Sequence, residues 1–425
     1  MPDKLNVLLI GSGGREHALA HLLSRSPRLG RLFILPGNAG TAALGTNIPG
    51  DPCDVKLALE VARREAIGLT IVGPEDPLAA GMVDAFERAG LQVFGPTAGA
   101  ARIESDKAFA KQLMRSRAIP TAEARIFEKY ETARDYIASR DAALVVKAAG
   151  LCKGKGALVC HDPAEAILAA ERILRDGLFG AAGRQIIVEE KLEGPEASVM
   201  ALVDGRNIYV LEAAQDHKRL RDGDQGPNTG GMGAVSRSDL LSDEVLRDVE
   251  TRVLVPTIDE LQRAETPFRG VLFAGLMMTA AGPKVLEFNC RFGDPETQAI
   301  LMRLRSDLLD VLEAACLGRL DQIDLSWDPR PALCVVMASP GYPGEYPVGL
   351  PIHGLQMAPA SDDRVVFHAG SALRNGQVVT AGGRVLGVTA LGESLSDARK
   401  RAYEAVGKIT WDGVQFRSDL GLPAV

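Results

Sequence analysis

The sequence predicts an α/β protein with added α+β elements: an N-terminal doubly wound parallel sheet followed by smaller mixed units. Three observations carry this expectation. Strand and helix patterns alternate through the first hundred residues. Leu5 to Ile10 is a continuous apolar run, as a strand buried on both faces requires. Glycine-rich or Gly-Pro loops then follow the strands, at Gly11-Ser12-Gly13-Gly14, Pro36-Gly37, Gly73-Pro74 and Gly95-Pro96. In an open sheet of this kind ligands bind at the carboxyl ends of the strands, where these loops gather.

The elements follow in order. Ala18, Leu19, Leu22 and Leu23 repeat at helical spacing. Leu32 to Leu35 is a second strand, and Val55, Leu59 and Ala62 mark a second helix. Leu69 to Val72 and Gln92 to Phe94 supply further strands. Between Pro96 and Lys107 the pattern changes, and helices over 97–118 lead into a smaller unit. Its strands are Leu144 to Lys147, Ala157 to Cys160 and Gln185 to Glu189, with a helix over Pro163 to Arg175. A third unit has strands near Ala197 to Val203, Asn207 to Leu211, Gly270 to Met278 and Lys284 to Asn289. A glycine-rich segment, Gln215 to Ser236, interrupts it. After Trp327-Asp328-Pro329 a last unit has strands near Leu333 to Met337, Arg364 to His368 and Gly387 to Leu391.

Composition narrows the function classes. The chain has 425 residues, enough for about two to four domains. Apolar residues make up 46% and charged residues 24%, as in a globular, water-soluble protein. Net charge is −7 and no large Lys/Arg cluster occurs, which argues against nucleic acid as a partner. No stretch of 18 apolar residues occurs, so no membrane span is expected. The six cysteines have no metal or disulfide spacing and read as reduced, mostly core residues of a cytoplasmic protein.

Several motifs point to chemistry. The Gly11, Gly13 and Gly14 loop departs from the dinucleotide fingerprint, because Glu16 replaces the third glycine and no acidic residue ends the second strand. It is either a plain tight turn or an anion site made by backbone N–H groups at a helix start. Gly73-Pro74-Glu75-Asp76-Pro77 places two carboxylates at another strand end. Asp76 reads as a helix cap, and Glu75 is free to accept hydrogen bonds from sugar hydroxyls. Lys107 opens a helix after the good cap types Ser105 and Asp106. Lys147 ends an apolar strand and needs a buried partner. The hairpin Gly150-Leu151-Cys152-Lys153-Gly154-Lys155-Gly156 does not fit the Walker pattern, but its N–H groups and lysines suit phosphates. The link Glu189-Glu190-Lys191-Leu192 leading to Glu196 is either a charged connection or a strip offering backbone groups to an adenine, with Glu196 for ribose hydroxyls.

The sharpest element is Lys284-Val285-Leu286-Glu287-Phe288-Asn289. Side chains two apart on a strand share a face, so Glu287 and Asn289 point together, with Leu286 and Phe288 toward a core. A carboxylate and an amide oxygen suit Mg²⁺, which keeps substrate phosphates and waters as its other ligands. Arg291 follows and could brace a phosphoryl group or a carboxylate. Asp294 and Pro295 read as the cap and first position of a helix. Asp216-His217-Lys218-Arg219, followed by Gly226 to Gly233, reads as an active-site loop ordered on binding, with Asp216, Lys218 and Gly231 as substrate-contact candidates. His217 reads equally well as a base or as a structural histidine.

In order along the chain, Gly11 to His17, Pro36 to Gly40, Gly73 to Pro77, Ser105 to Lys107, Gln215 to Lys218, Gly226 to Gly233 and Glu287 to Gln298 resemble the glycinamide ribonucleotide synthetase family of ATP-grasp ligases. The resemblance implies ATP, glycine and 5-phosphoribosylamine as small-molecule partners, Mg²⁺ or Mn²⁺ as cofactor, and a monomer or weak dimer. It implies ATP contacts at Lys107, Lys147, Gly154, Lys155, Gly156, Glu189, Glu190, Leu192 and Glu196, and metal at Glu287 and Asn289. Catalytic roles fall to Arg291, Lys147 and Asp294. Substrate contacts fall to Gly11, Gly13, Gly14, Glu75, Asp76, Asp216, Lys218, Gly231 and Arg291. The implied division is a Rossmann-like substrate domain over 1–104, a helical connection over 105–122, an ATP-grasp lid over 123–192, a core with the metal site over 193–328, and a small C-terminal mixed domain over 329–425. Ala149, Cys152 and Lys153 depart from the family's usual lid residues. The rival readings are another ATP-grasp ligase, such as a purine-pathway carboxylase, and a non-catalytic nucleotide binder.

Overall fold

A computed structural model of the chain describes residues 4–152, 154–236 and 241–422. The first unit contains β1 (Leu5–Gly11), α1 (Gly14–Leu23), β2 (Leu29–Pro36), β3 (Thr46–Asn47), α2 (Val55–Arg64), β4 (Ile67–Val72), α3 (Glu75–Ala79), α4 (Met82–Arg88) and β5 (Val93–Phe94). Its five strands are parallel, in the order β3-β2-β1-β4-β5. The continuous apolar run of β1 is explained by its two buried faces. Leu8 and Ile10 enter one core cluster, while Val7 and Leu9 enter another. The strand order reverses between β1 and β4. There the Gly11 and Gly73 turns face each other across Glu16.

Two helices, α5 (Ala98–Ser105) and α6 (Lys107–Ser116), lead out of this sheet. Asp106 caps α6 by accepting from the Phe109 N–H at 3.0 Å. The second unit holds β6 (Ala124–Phe127), α7 (Tyr130–Ala138), β7 (Leu144–Ala148), β8 (Ala157–Cys160), α8 (Pro163–Leu174) and β9 (Ile186–Glu190). Its sheet is antiparallel in the order β6-β9-β7-β8. Both helices pack on it through Ile137, Val146, Ile173 and Val188.

The rest of the chain builds on one large sheet. Its elements are β10 (Glu196–Asp204), β11 (Ile208–Val210), β12 (Ala214–Asp216), β13 (Arg219–Arg221), β14 (Gln225–Asn228), β15 (Gly233–Ser236), α9 (Asp243–Val249), α10 (Val255–Arg263), β16 (Arg269–Thr279), β17 (Gly282–Asn289), α11 (Glu296–Leu301) and α12 (Leu308–Cys316). Then come β18 (Ala332–Ala338), β19 (Arg364–His368), β20 (Ser371–Arg374), β21 (Gln377–Thr380), β22 (Arg384–Leu391) and α13 (Leu395–Val406). The path β17-β16-β10-β12-β15-β18-β22-β19 is continuous, so the last unit extends the sheet of the third.

Two expectations change here. The glycine-rich segment 215–236 is not a loop throughout. It supplies β12 and β15 to the large sheet and folds the β13–β14 hairpin between them. Its glycines serve close packing: a Cβ on Gly233 would lie 2.5 Å from the Cys334 carbonyl oxygen. In β17 the alternation is broken by a register shift opposite Gly275 and Leu276. Val285 and Phe288 therefore enter the core, and Leu286 is only half-buried. Among the described residues, no helix is long and apolar enough to cross a membrane.

The first sheet docks onto the last unit through histidines. His17 Nδ1 accepts from the His368 N–H at 2.7 Å, and the Asn38 amide donates to the His368 carbonyl at 2.8 Å. Burial lowers the pKa of His17 to about 3, with His368 adding to it, and that of His368 to about 4. His21 is lowered to about 4 by burial and by Arg25. The unfolded chain thus binds protons below pH 6.5 that the folded chain refuses, so stability falls with pH through that window. Going from pH 6.5 to 5 should cost roughly 1.5 kcal/mol for His17 alone. Urea midpoints measured across this range, with a smaller drop in His368→Gln, check it.

Candidate active site

One side of the site is built around Lys147 at the end of β7. Its partner is Glu189 on β9, with Nζ–Oε2 2.9 Å, and Nζ also donates to the Leu286 carbonyl at 2.9 Å. The other oxygen of Glu189 faces Lys111 at 3.1 Å, a residue the sequence reading missed. Lys107 donates to the Gly150 carbonyl at 2.9 Å, which ties the start of α6 to the hairpin. Gly154 turns that hairpin with a φ of +77°, and Gly156 returns a carbonyl to the Ala148 N–H at 2.8 Å. Gly154 and Lys155 are exposed; Lys153 lies outside the described residues. Glu190 pairs with Lys284 at 3.0 Å, Leu192 is half-buried, and Glu196 pairs with Lys218 at 2.9 Å.

Glu287 and Asn289 lie on the regular part of β17, beyond its register shift. Lys218 Nζ is 3.7 Å from Glu287, and Arg291 Nη2 is 3.4 Å from Asn289 Oδ1. Burial pushes the Glu287 carboxyl up, but Lys218, Lys147, Lys107 and Arg291 outweigh it and hold the group ionised. Lys218 thus approaches the carboxylate directly, and Lys147 reaches the carbonyl of the residue before it. The donor set fits a divalent cation that draws most ligands from phosphate and water. Among the described residues no group of three or more His, Cys, Asp or Glu could cage a metal by itself.

Arg291 is held on two sides by carboxylates. Its Nε is 3.0 Å from Glu75 and its Nη2 is 3.1 Å from Glu104, while Nη1 donates to the Phe292 carbonyl. Glu75 was expected to be free for sugar hydroxyls; its Oε2 is instead engaged by Arg291. Burial opposes ionisation of Glu75, but Arg291 and Arg15 draw its pKa down to about 2. Glu104 goes the other way: burial raises it more than Arg291 and the Cys290 donors lower it. Asp76 does not cap a helix. Pro74 holds the cap position, and Asp76 lies inside the first turn of α3.

Asp294 is not a cap either. Pro295 takes that position, and the Asp294 carboxylate instead accepts from the Gln298 amide at 2.8 Å. Arg384, from β22, donates to the Asp294 carbonyl at 2.6 Å and also reaches the Gly230 carbonyl. The Gly13 N–H, expected to be open to an anion, already donates to Glu16 at 2.6 Å. This explains the departure from the dinucleotide fingerprint, since Glu16 accepts from the backbone N–H at the start of its own helix. A Cβ on Gly11 would lie 2.6 Å from Glu16 Cδ, one on Gly13 3.2 Å from Asp294 Oδ2, and one on Gly14 2.5 Å from Gln298 Nε2. The loop therefore packs directly against the start of α11.

Asp216 is buried, and its carboxyl is pushed up by burial and by Glu296. Gly231, at φ +113°, lies so close that a Cβ would approach Asp216 Oδ1 to 2.6 Å. Burial, with Arg417 adding to it, lowers the pKa of His217, and its backbone pairs with Gly233 and Met232. The structure thus gathers Lys107, Lys147, Lys218, Arg291, Glu287 and Asn289, and adds Lys111, Arg15, Glu104 and Arg384. Lys111 and Glu104 had a signal: each sits on the apolar face of its helix, beside Ala108 and Met114 or Ala100 and Ala101.

Removing Arg291 strands the buried carboxylate of Glu104 and the half-buried one of Glu75. Arg291→Met should destabilise the fold by roughly 3–5 kcal/mol, read by urea unfolding. Adding Glu104→Gln should recover part of that loss.

Three family models match in succession: the phosphoribosylglycinamide synthetase N domain over 5–104, its ATP-grasp (A) domain over 105–297 and its C domain over 332–423. A phosphoribosylamine–glycine ligase of Rhodopirellula baltica is 50% identical over 98% of this chain and 97% of its own. That of Pseudomonas aeruginosa is 48% identical over 99% and 98%. The crystal structure of the Thermotoga maritima phosphoribosylamine–glycine ligase superposes with a TM-score of 0.85 at 32% identity, covering 98% of this chain and 100% of that one. A biotin carboxylase–β,γ-ATP complex from Campylobacter jejuni superposes with a TM-score of 0.75 at 14% identity, covering 98% and 94%, a likeness of fold alone. Matched from end to end in sequence and in fold, the chain belongs to the phosphoribosylglycinamide synthetase family.

Proposed function

We propose that this chain ligates glycine to 5-phosphoribosylamine at the expense of ATP, giving glycinamide ribonucleotide, ADP and phosphate through a glycyl phosphate intermediate. The observation that carries this reading is the set of cations on the strand of Glu287 and Asn289 beside a glycine hairpin: Lys147 on the Leu286 carbonyl, Lys218 3.7 Å from Glu287 and Arg291 3.4 Å from Asn289. A carboxylate does not react with an amine at neutral pH, and transfer of a phosphoryl group to its oxygen makes a leaving group. Charge that spreads over the moving phosphoryl oxygens is met by the lysines and Arg291, which are already oriented by Glu189, Glu75 and Glu104. Glu287 and Asn289 would hold Mg²⁺ or Mn²⁺, which supplies Lewis-acid neutralisation of the phosphate charge.

The hairpin with Gly154, Lys155 and Gly156 would close over the phosphates and keep water from the acyl phosphate. Residues 123–192 act as the lid and 193–328 as the core. Glu189, Glu190 and Leu192 line the adenine side, with Glu196 toward the ribose. Residues 1–104 bring the sugar phosphate. The turns at Gly11, Gly13 and Gly14, together with Glu75 and Asp76, bound its site, and Asp216, Lys218 and Gly231 form the opposite wall. Asp294, kept ionised mainly by Arg384 against burial, would orient the attacking amine.

Glycine carrying heavy oxygen in its carboxylate should pass one label to the released phosphate in each turnover. Unlabelled phosphate by mass spectrometry would sink the acyl phosphate route. Glu287→Ala should melt as the parent does and lose at least about a hundredfold in turnover. Near-normal ADP release by that variant would remove the metal assignment.

A further inference from the structure

We infer that Lys111 is a positioning residue, coupling the nucleotide-facing Lys147 to the strand that carries Glu287 through Glu189 and Thr121. This rests on the ATP-site reading above and adds a residue that reading does not use. Lys111 is 7% exposed on α6. Its ammonium donates to Thr121 Oγ1 at 2.6 Å and to the Ala122 carbonyl at 3.4 Å, and it is ion-paired with Glu189 Oε1 at 3.1 Å. The Thr121 hydroxyl donates to the Val285 carbonyl at 2.6 Å, and the Val285 N–H donates to the Pro120 carbonyl at 2.8 Å.

The second oxygen of Glu189 holds Lys147, and Lys147 donates to the carbonyl of Leu286. Two arms thus leave one carboxylate and end on consecutive residues, Val285 and Leu286. These lie where β17 slips its register against β16, immediately before Glu287. At the slip Val285 and Glu287 keep partners on β16 and Leu286 has none, and its carbonyl is taken by Lys147 instead.

The charge arrangement has a consequence for Lys147. With one carboxylate between two ammonium groups, Glu189 cannot neutralise Lys147 fully, and Lys147 keeps attraction for a phosphate. Burial and Lys147 draw the Lys111 pKa down to about 8 while Glu189 opposes them, so Lys111 remains charged at pH 7. Without Lys111, Glu189 would close on Lys147 with both oxygens and Thr121 would lose its donor.

The test is calorimetric binding of ADP, with magnesium and with chelator, to the full chain and to Lys111→Met, Lys111→Arg and Thr121→Val, with melting curves for each. Lys111→Met should weaken binding of magnesium ADP by about tenfold and of metal-free ADP by less. Lys111→Arg should recover most of the loss, and the KM for glycine should stay within about twofold of the parent. A folded Lys111→Met that binds magnesium ADP as the parent does overturns the inference. If Lys111→Met does not fold, parent-like binding by folded Thr121→Val overturns it instead. A parent chain that fails to bind magnesium ADP overturns the ATP-site reading itself, and the inference with it.

Discussion

The site depends on keeping Arg291 charged where little water reaches it. A guanidinium in such a place is tolerable only with partners on its several donors. Glu75 comes from the start of α3 and Glu104 from the last turn of α5, and Asn289 and Phe292 complete the set. The first sheet and the strand carrying Glu287 are therefore joined by charge as well as by apolar packing. The two carboxylates respond in opposite senses, Glu75 downward and Glu104 upward. Any proton the pair takes up goes first to Glu104, and the Glu75–Arg291 pair survives it.

The glycines of the motifs have a common cause. Gly11 and Gly73 let two turns of the parallel sheet close around Glu16. Gly231 lets the backbone pass against Asp216 and Pro295, and Gly233 lets β15 approach β18. In each place a methyl group would overlap a neighbour, so glycine density here reports contact between segments. The same contacts bring the C-terminal unit to the site, because Arg384 reaches Asp294 and Gly230 across that narrow gap.

The fold alone leaves the chemistry open. A biotin carboxylase shares it at 14% identity, and one fold can host unrelated chemistries. What separates the readings is side-chain chemistry: which cations face Glu287, and what occupies the ends of β1 and β4. In this chain the first turn holds Glu16, locked to the Gly13 N–H, so that turn binds its own carboxylate before any ligand.

By itself the sequence determined the parallel sheet, most of the longer strands and the shared face of Glu287 and Asn289, but not β3, β6, β20 or β21, because burial on two faces and side-chain alternation are written in neighbouring residues. Lys147 was also legible as a lysine in need of a partner. The identity of that partner was not, since Glu189 is on another strand and Lys111 on a helix, and charge pairing across such distances leaves no local pattern. The caps at Asp76 and Asp294 were misread for a related reason. Cap residue types announce a helix start, but Pro74 and Pro295 took those positions, and tertiary contacts with Gln298 and Arg384 claimed Asp294. Only the assembled structure decided that the glycine-rich segment is strand and that β17 slips before Glu287. Both outcomes depend on which backbone lies alongside, and no single segment carries that information.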